Sequence, residues 1–171
     1  AIGTLRALAS YQSRRSDAFR DEEPGKIPHE IRFGELSCLE DVPHSRYYGT
    51  VDATPLYLVL LSETFRWTGN VEIVKELLPN AEAALRWIEQ YGDLDGDGFV
   101  EYARRSIHGQ LNQGWKDSTD PVQYADGTVA KGPIALAEVQ GYVYDAKIRM
   151  AEIYRALGES DRADTLDREA A

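Results

Sequence analysis

The feature that most limits the fold is an alternation. Segments with helical spacing come in closely linked pairs, and two long stretches without any sustained period separate them. The first, Gly25 to Thr50, reads GKIPHEIRFGELSCLEDVPHSRYYGT and holds two prolines and three glycines. The second covers about 40 residues, from Asp93 to Gly132. Loops of this length inside one domain are uncommon and usually carry function.

Around these loops the apolar spacing predicts helices. Ile2, Leu5, Leu8, Ala9 and Gln12 predict an opening helix of about four turns that stops in the charged run Ser16 to Glu23. A short strand is expected at Ile31 to Leu36. Thr54 is placed to cap, and Pro55 to begin, a helix through Leu56, Val59, Leu60, Glu63 and Trp67 that closes at Gly69. Asn70 can cap the next, with Val71, Val74 and Leu78. Pro79 is expected to break that helix and open another, carrying Ala81, Ala84, Leu85 and Ile88 up to Gly92. After Pro133, Leu136, Val139, Val143, Ala146, Met150, Ile153 and Leu157 form the longest amphipathic pattern, ending at Gly158, and Ser160 can cap a final helix. About six helices and thin strand signals predict an all-α architecture with functional groups on loops at one end.

Composition narrows the function classes. The chain has 171 residues, 43% of them hydrophobic, enough for one domain with an ordinary core. A formal charge of -10 without a Lys/Arg cluster repels phosphate backbones, so a nucleic-acid partner is not expected. Cys38 is the single cysteine, which excludes an intrachain disulfide and fits a reducing compartment. The longest apolar run, Pro55 to Leu61, is too short to span a bilayer, and no basic-then-apolar leader opens the chain. A soluble, cytoplasmic protein without a membrane partner is expected, and the start without Met suggests a piece of a longer chain.

Several stretches carry residue types suited to chemistry. In GQLNQGWKDS, Trp115 offers an indole face for the C–H surface of a pyranose, and Lys116, Asp117 and Gln113 offer hydroxyl partners. Asp117 can donate a proton to a glycosidic oxygen if its pKa is raised; it can equally cap a short helix while Trp115 fills a core gap. In KIPHEIRFGE, an extended backbone would put Glu30 and Arg32 on one face and His29 with Phe33 on the other. Tyr47, Tyr48 and Asp52 lead into the Thr54 helix start, where they can line a pocket or serve the helix dipole. Glu138 and Gln140 lie in the first turns of the longest helix, where a solvated role is also open to Glu138.

The segment DLDGDGFVE matches the first half of a calcium loop, with Asp93, Asp95, Asp97 and Glu101 as oxygen donors and glycine in sixth place. The twelfth place holds Arg104 instead of a bidentate glutamate, so a tight Asp/Gly turn is the stronger expectation. His29, His44 and His108 show no ligand spacing, and no other cofactor is indicated.

Taken in order, GKIPHEIRFGE, YYGTVDATPLYLVLLSE, DLDGDGFVEY, NQGWKDS and AEVQGYVYDA resemble the amylo-alpha-1,6-glucosidase or glycogen debranching enzyme family, whose catalytic domain is an (α/α)6 toroid related to glucoamylases and processing α-glucosidases. The resemblance implies that residues 1–171 form about half of one such toroid. It implies an inverting glycoside hydrolase acting on α-glucosidic bonds, α-1,6 linkages of glycogen-type oligosaccharides first among them. Asp117 would be the general acid. Trp115, Lys116, His29, Glu30, Arg32, Tyr48, Asp52, Glu138 and Gln140 would contact sugar. An inverting reaction also needs a second carboxylate, which the family places beyond the matched stretch. The isolated chain is thus expected to lack the general base, and half a toroid should expose apolar helix faces that favour self-association. α-Mannoside hydrolysis or glycoside phosphorolysis on the same frame stays open, and so does a non-catalytic carbohydrate-binding or interaction module.

Overall fold

The long helices form where an apolar stripe has another element to bury it against. The computed structural model describes residues 1–116, 118 and 120–170. Among them are six α-helices: α1 (Ile2–Tyr11), α2 (Glu35–Cys38), α3 (Ala53–Thr68), α4 (Val71–Trp87), α5 (Ala137–Ala156) and α6 (Ser160–Ala170). The protein is mainly helical, and no helix is long and apolar enough to cross a membrane.

Two hairpins make the frame. α3 turns into α4 through Gly69, whose φ of 62° supplies the left-handed closure, and through Asn70, whose side chain accepts the Ile73 N–H at 3.1 Å. α5 turns into α6 at Gly158, φ 84°. α3 packs on α5, and α1 lies against α3 and α4. Leu58, Leu61, Leu85, Met150 and Ile153 fill the shared core. Each large apolar side chain so enclosed stabilises the fold by roughly 1.5–3 kcal/mol relative to exposure. Arg66 pairs with Glu152 at 2.6 Å across α3 and α5, on the surface where such pairs contribute little.

Four local expectations need correction. α1 stops at Tyr11, a turn early, because Ser13 leaves the helix to pair with the next loop: its N–H donates to Lys26 O at 3.0 Å and its carbonyl accepts the Gly25 N–H at 2.9 Å. The strand expected at Ile31 to Leu36 is replaced by a bridge between Glu30 and Tyr47, an Arg32 N–H to His44 O bond of 2.8 Å, and the single turn of α2. Helix α3 starts two residues early, at Ala53 rather than Pro55. Thr54 does not cap it, because its hydroxyl oxygen accepts the Ile27 N–H at 3.0 Å.

The largest difference is at Pro79, which sits inside an unbroken α4. Pro79 and Lys75, whose carbonyl the ring leaves without a donor, are both exposed residues on the solvent face of the helix. Ile73, Val74 and Leu77 before it and Ala81, Ala84 and Leu85 after it belong to one buried stripe, which holds the helix together. A π-helical turn, Ile88–Gly92, ends it.

The second long loop is less irregular than its sequence suggests. β1 (Glu101–Tyr102) pairs antiparallel with β2 (Ile134–Ala135), setting Tyr102 opposite Ile134. Between them residues 122–130 fold back on themselves through Tyr124 N–H to Thr128 O and Ala130 N–H to Val122 O bonds, 2.8 and 2.9 Å long.

Candidate functional site

The loops converge on one buried carboxylate. Asp21, 2% exposed, closes a 3-10 turn with φ 51°, a left-handed conformation that Asp tolerates better than most residues. Its Oδ1 accepts the N–H groups of Arg105 at 2.7 Å and Ser106 at 3.1 Å. Its Oδ2 accepts the Tyr47 hydroxyl at 3.0 Å and the Gln113 amide at 3.1 Å. Lys26, equally buried, donates to the Asp21 carbonyl at 3.2 Å, pairs with Glu23 at 3.4 Å and lies over the Trp87 ring at 5.3 Å. Burial depresses the Lys26 pKa against the pull of Glu23 and Asp21. Glu23, Lys26, Arg105, Tyr91 and Tyr102 line a cavity of about 80 Å³.

This network fixes the stretch GQLNQGWKDS from below. Gln113 also accepts the Val51 N–H on its carbonyl at 2.8 Å. The Asn112 amide receives the Tyr102 hydroxyl at 3.1 Å and donates to the Ser118 carbonyl. With both amides buried, the chain turns outward and leaves Trp115 65% exposed, with the Lys116 ammonium 5.4 Å above its ring.

Trp115, Lys116 and Glu138 line one concavity of about 380 Å³, together with Tyr102, Leu136, Pro121 and Val122. Glu138 enters it from the first turn of α5, and Leu136 from the residue before that helix. Burial pushes the Tyr102 phenol pKa up, and the Glu138 carboxylate adds to the rise. An exposed indole face, an ammonium and a half-buried carboxylate around an open hollow can stack on a sugar ring and bond its hydroxyls. Asp117, the expected general acid, lies outside the described residues.

The other expected sugar contacts are elsewhere or already engaged. Glu30 accepts from Arg32 at 2.9 Å and stands 3.2 Å from His44 Nε2; His29 packs edge-on against Tyr47 with ring centres 6.2 Å apart. None of His29, Glu30 and Arg32 lines the Trp115 concavity. Tyr48 is buried, donates to the Tyr11 carbonyl at 2.6 Å, and has its pKa pushed up to about 12 by desolvation. Asp52 accepts the Thr50 hydroxyl at 2.5 Å. Gln140 donates to Val100 O at 2.7 Å and Leu136 O at 3.1 Å and accepts from Val100 N–H at 2.8 Å.

In the calcium-like loop, Asp93, Asp95 and Glu101 bring one oxygen each within 4.8 Å of one another. Asp97 is not part of that group; its Oδ1 accepts the Phe99 N–H at 2.8 Å. Asp93 accepts from Gly96 and Gly98 at 2.6 and 3.0 Å, and Glu101 from Leu94 at 3.0 Å, as in a self-satisfied Asp/Gly turn.

Sequence reasoning overlooked Asp21, Glu23, Lys26 and Arg105. The run RDEEPGK reads as a helix stop, and nothing local marks its first carboxylate as a hub for segments more than 80 residues away. In comparison with known proteins, the sequence matches no family model and no curated relative.

Proposed function

We propose that this chain is part of an (α/α)6 glycoside hydrolase catalytic domain that binds α-linked glucose oligosaccharides, with α-1,6 linkages as the bond cleaved. The observation that carries the reading is the meeting of Trp115, Lys116 and Glu138, from two segments of the second loop and α5, around one sugar-sized hollow. The mainly helical architecture, with paired helices and loops gathered over Asp21, is compatible with this reading. Glucose would stack on the Trp115 indole, and Glu138 would accept a hydroxyl. Asp117, two residues beyond the indole in sequence, would protonate the glycosidic oxygen. An inverting reaction needs a second carboxylate roughly 6.5–9.5 Å from that acid to deprotonate the attacking water. The family pattern puts this base outside residues 25–146, so the reading assigns binding and acid catalysis to this chain and the base to other residues.

Titrating the protein with malto-oligosaccharides, isomaltose and α-mannobiose, followed by tryptophan fluorescence and calorimetry, tests this. Saturable binding of an α-glucoside, weakened at least about tenfold by Trp115→Ala, is the expected result. Unchanged affinity in that variant would remove the reading. In hydrolytically active protein containing this sequence, Asp117→Asn should abolish turnover and spare oligosaccharide affinity. A non-catalytic carbohydrate-binding module is the competing reading. It predicts the same binding with no effect of Asp117→Asn on any reaction.

A further inference from the structure

A second hollow shares Tyr102 with the first. It measures about 480 Å³, within the usual size range of small-molecule sites. β1 and β2 contribute Tyr102 and Ile134 to its lining, and Leu111 and Val129 add apolar surface. Val129 is held in place by the fold-back of residues 122–130. Two charged residues line the hollow, Arg104 and Lys131, and both are cations. No Asp or Glu lines it among the described residues, although the chain carries 29 acidic residues against 19 basic ones. Arg104 and Lys131 are exposed, and neither makes a hydrogen bond or ion pair among the described residues, in a protein where most arginines are paired. Two unpaired cations at the edge of an apolar hollow, in an acidic protein, form a local positive field over a low-dielectric surface.

We propose that this hollow binds an organic anion with an apolar body, the body resting on Leu111, Val129 and Ile134 and a carboxylate or phosphate head group held by Arg104 and Lys131. The planar Arg104 guanidinium suits bidentate contact with either head group, and the Lys131 ammonium adds a point charge. Because the Trp115 concavity shares Tyr102 with this one but has its own charged lining, Lys116 and Glu138, the two sites bind independently in the first instance. The inference therefore stands apart from the carbohydrate reading.

The test titrates the full chain with phenyl phosphate, phenylacetate and the neutral benzyl alcohol by calorimetry or saturation-transfer NMR. At least one anion should bind about tenfold or more tighter than benzyl alcohol, and the tighter of the two identifies the preferred head group. Two exposed charge contacts of ordinary strength multiply to about tenfold, so Arg104→Gln combined with Lys131→Gln should weaken the anion by about that factor, and added salt should weaken it further. Both side chains are exposed, and circular dichroism of the double variant checks that it folds. Trp115→Ala should leave anion affinity unchanged, while the carbohydrate titration responds to Trp115→Ala and not to the double variant. Equal binding of benzyl alcohol and the anions, absence of anion binding at millimolar concentration, or a loss with Trp115→Ala as large as with the double variant would each overturn the proposal.

Discussion

The Tyr47 hydroxyl donates to the Asp21 carboxylate at 3.0 Å and at the same time accepts the Gln110 N–H at 2.7 Å. One phenol thus joins the first interhelical segment, the first long loop and the second long loop. Asp21 adds the backbone of Arg105 and Ser106 and the Gln113 amide to the same node. Removing the carboxylate would leave several buried donors unpaired, each costing about 1–3 kcal/mol. Asp21→Ala should therefore lower stability by about 3 kcal/mol or more in urea unfolding. Asp21→Asn keeps one acceptor and tolerates the left-handed backbone, so its loss should be about half as large. A loss below about 1 kcal/mol for Asp21→Ala would show that the loops are held by something else.

Gly109 packs directly against this node. A methyl group there would collide with the Tyr47 hydroxyl and come within 2.8 Å of Asp21 Oδ2 and 3.1 Å of the Ser106 Cβ. Gly109→Ala should cost about 1–3 kcal/mol, the usual range for overpacking. Combined with Tyr47→Phe, which deletes the colliding oxygen, the added cost of the alanine should shrink. A double-mutant cycle reads this directly, and strict additivity would show that the two positions do not touch.

Alkaline stability follows from the same buried phenols. Desolvation raises the pKa of Tyr47, with the Asp21 charge adding to it, and raises Tyr48 and Tyr57 to about 12. In the unfolded chain these phenols ionise near 10, so between pH 10 and about 12 the unfolded state releases protons that the folded state keeps. Their contribution is complete below pH 10 and is lost as the pH rises through the folded values. Unfolding free energy measured across that interval should fall with pH, and Tyr47→Phe should flatten the slope. An unchanged slope would place the Tyr47 hydroxyl in water.

What the sequence disclosed depended on the range of the forces involved. The helices α3 and α5, and the start of α4, were legible because their buried residues recur every three or four positions and their ends carry Asn70, Gly69 and Gly158. The Glu30–Arg32 pair was legible because both residues share one face of an extended segment. Pro79 was misread because the buried stripe on both sides of it outweighs a single missing hydrogen bond on the solvent face. Tyr48 and Gln140 were expected to touch sugar, yet their polar atoms meet the backbone of Tyr11 and Val100, partners 37 and 40 residues away. That Trp115, Lys116 and Glu138 line one hollow has no local signal, since it depends on the chain reversal between residues 116 and 138.

Gln140 separates scaffolding from ligand contact most sharply. Its amide nitrogen faces two carbonyls, Val100 at 2.7 Å and Leu136 at 3.1 Å, and its oxygen receives the Val100 N–H at 2.8 Å. Gln140→Glu would turn the donor into an acceptor against both carbonyls and should cost about 2–3 kcal/mol of stability, more than the roughly 1–2 kcal/mol for Gln140→Ala. Leu136 lines the Trp115 hollow, so loosening this clamp should raise the oligosaccharide Kd in step with the lost stability. Glu138, two residues earlier, reaches the same hollow with its own carboxylate. On the proposed carbohydrate reading, Glu138→Gln should therefore weaken sugar binding while leaving the urea midpoint nearly unchanged. Measuring Kd and unfolding midpoint for all three variants distinguishes the roles: a Gln140 variant that loses affinity at full stability would make Gln140 a ligand contact, and a Glu138 variant that loses stability and affinity together would make Glu138 part of the scaffold.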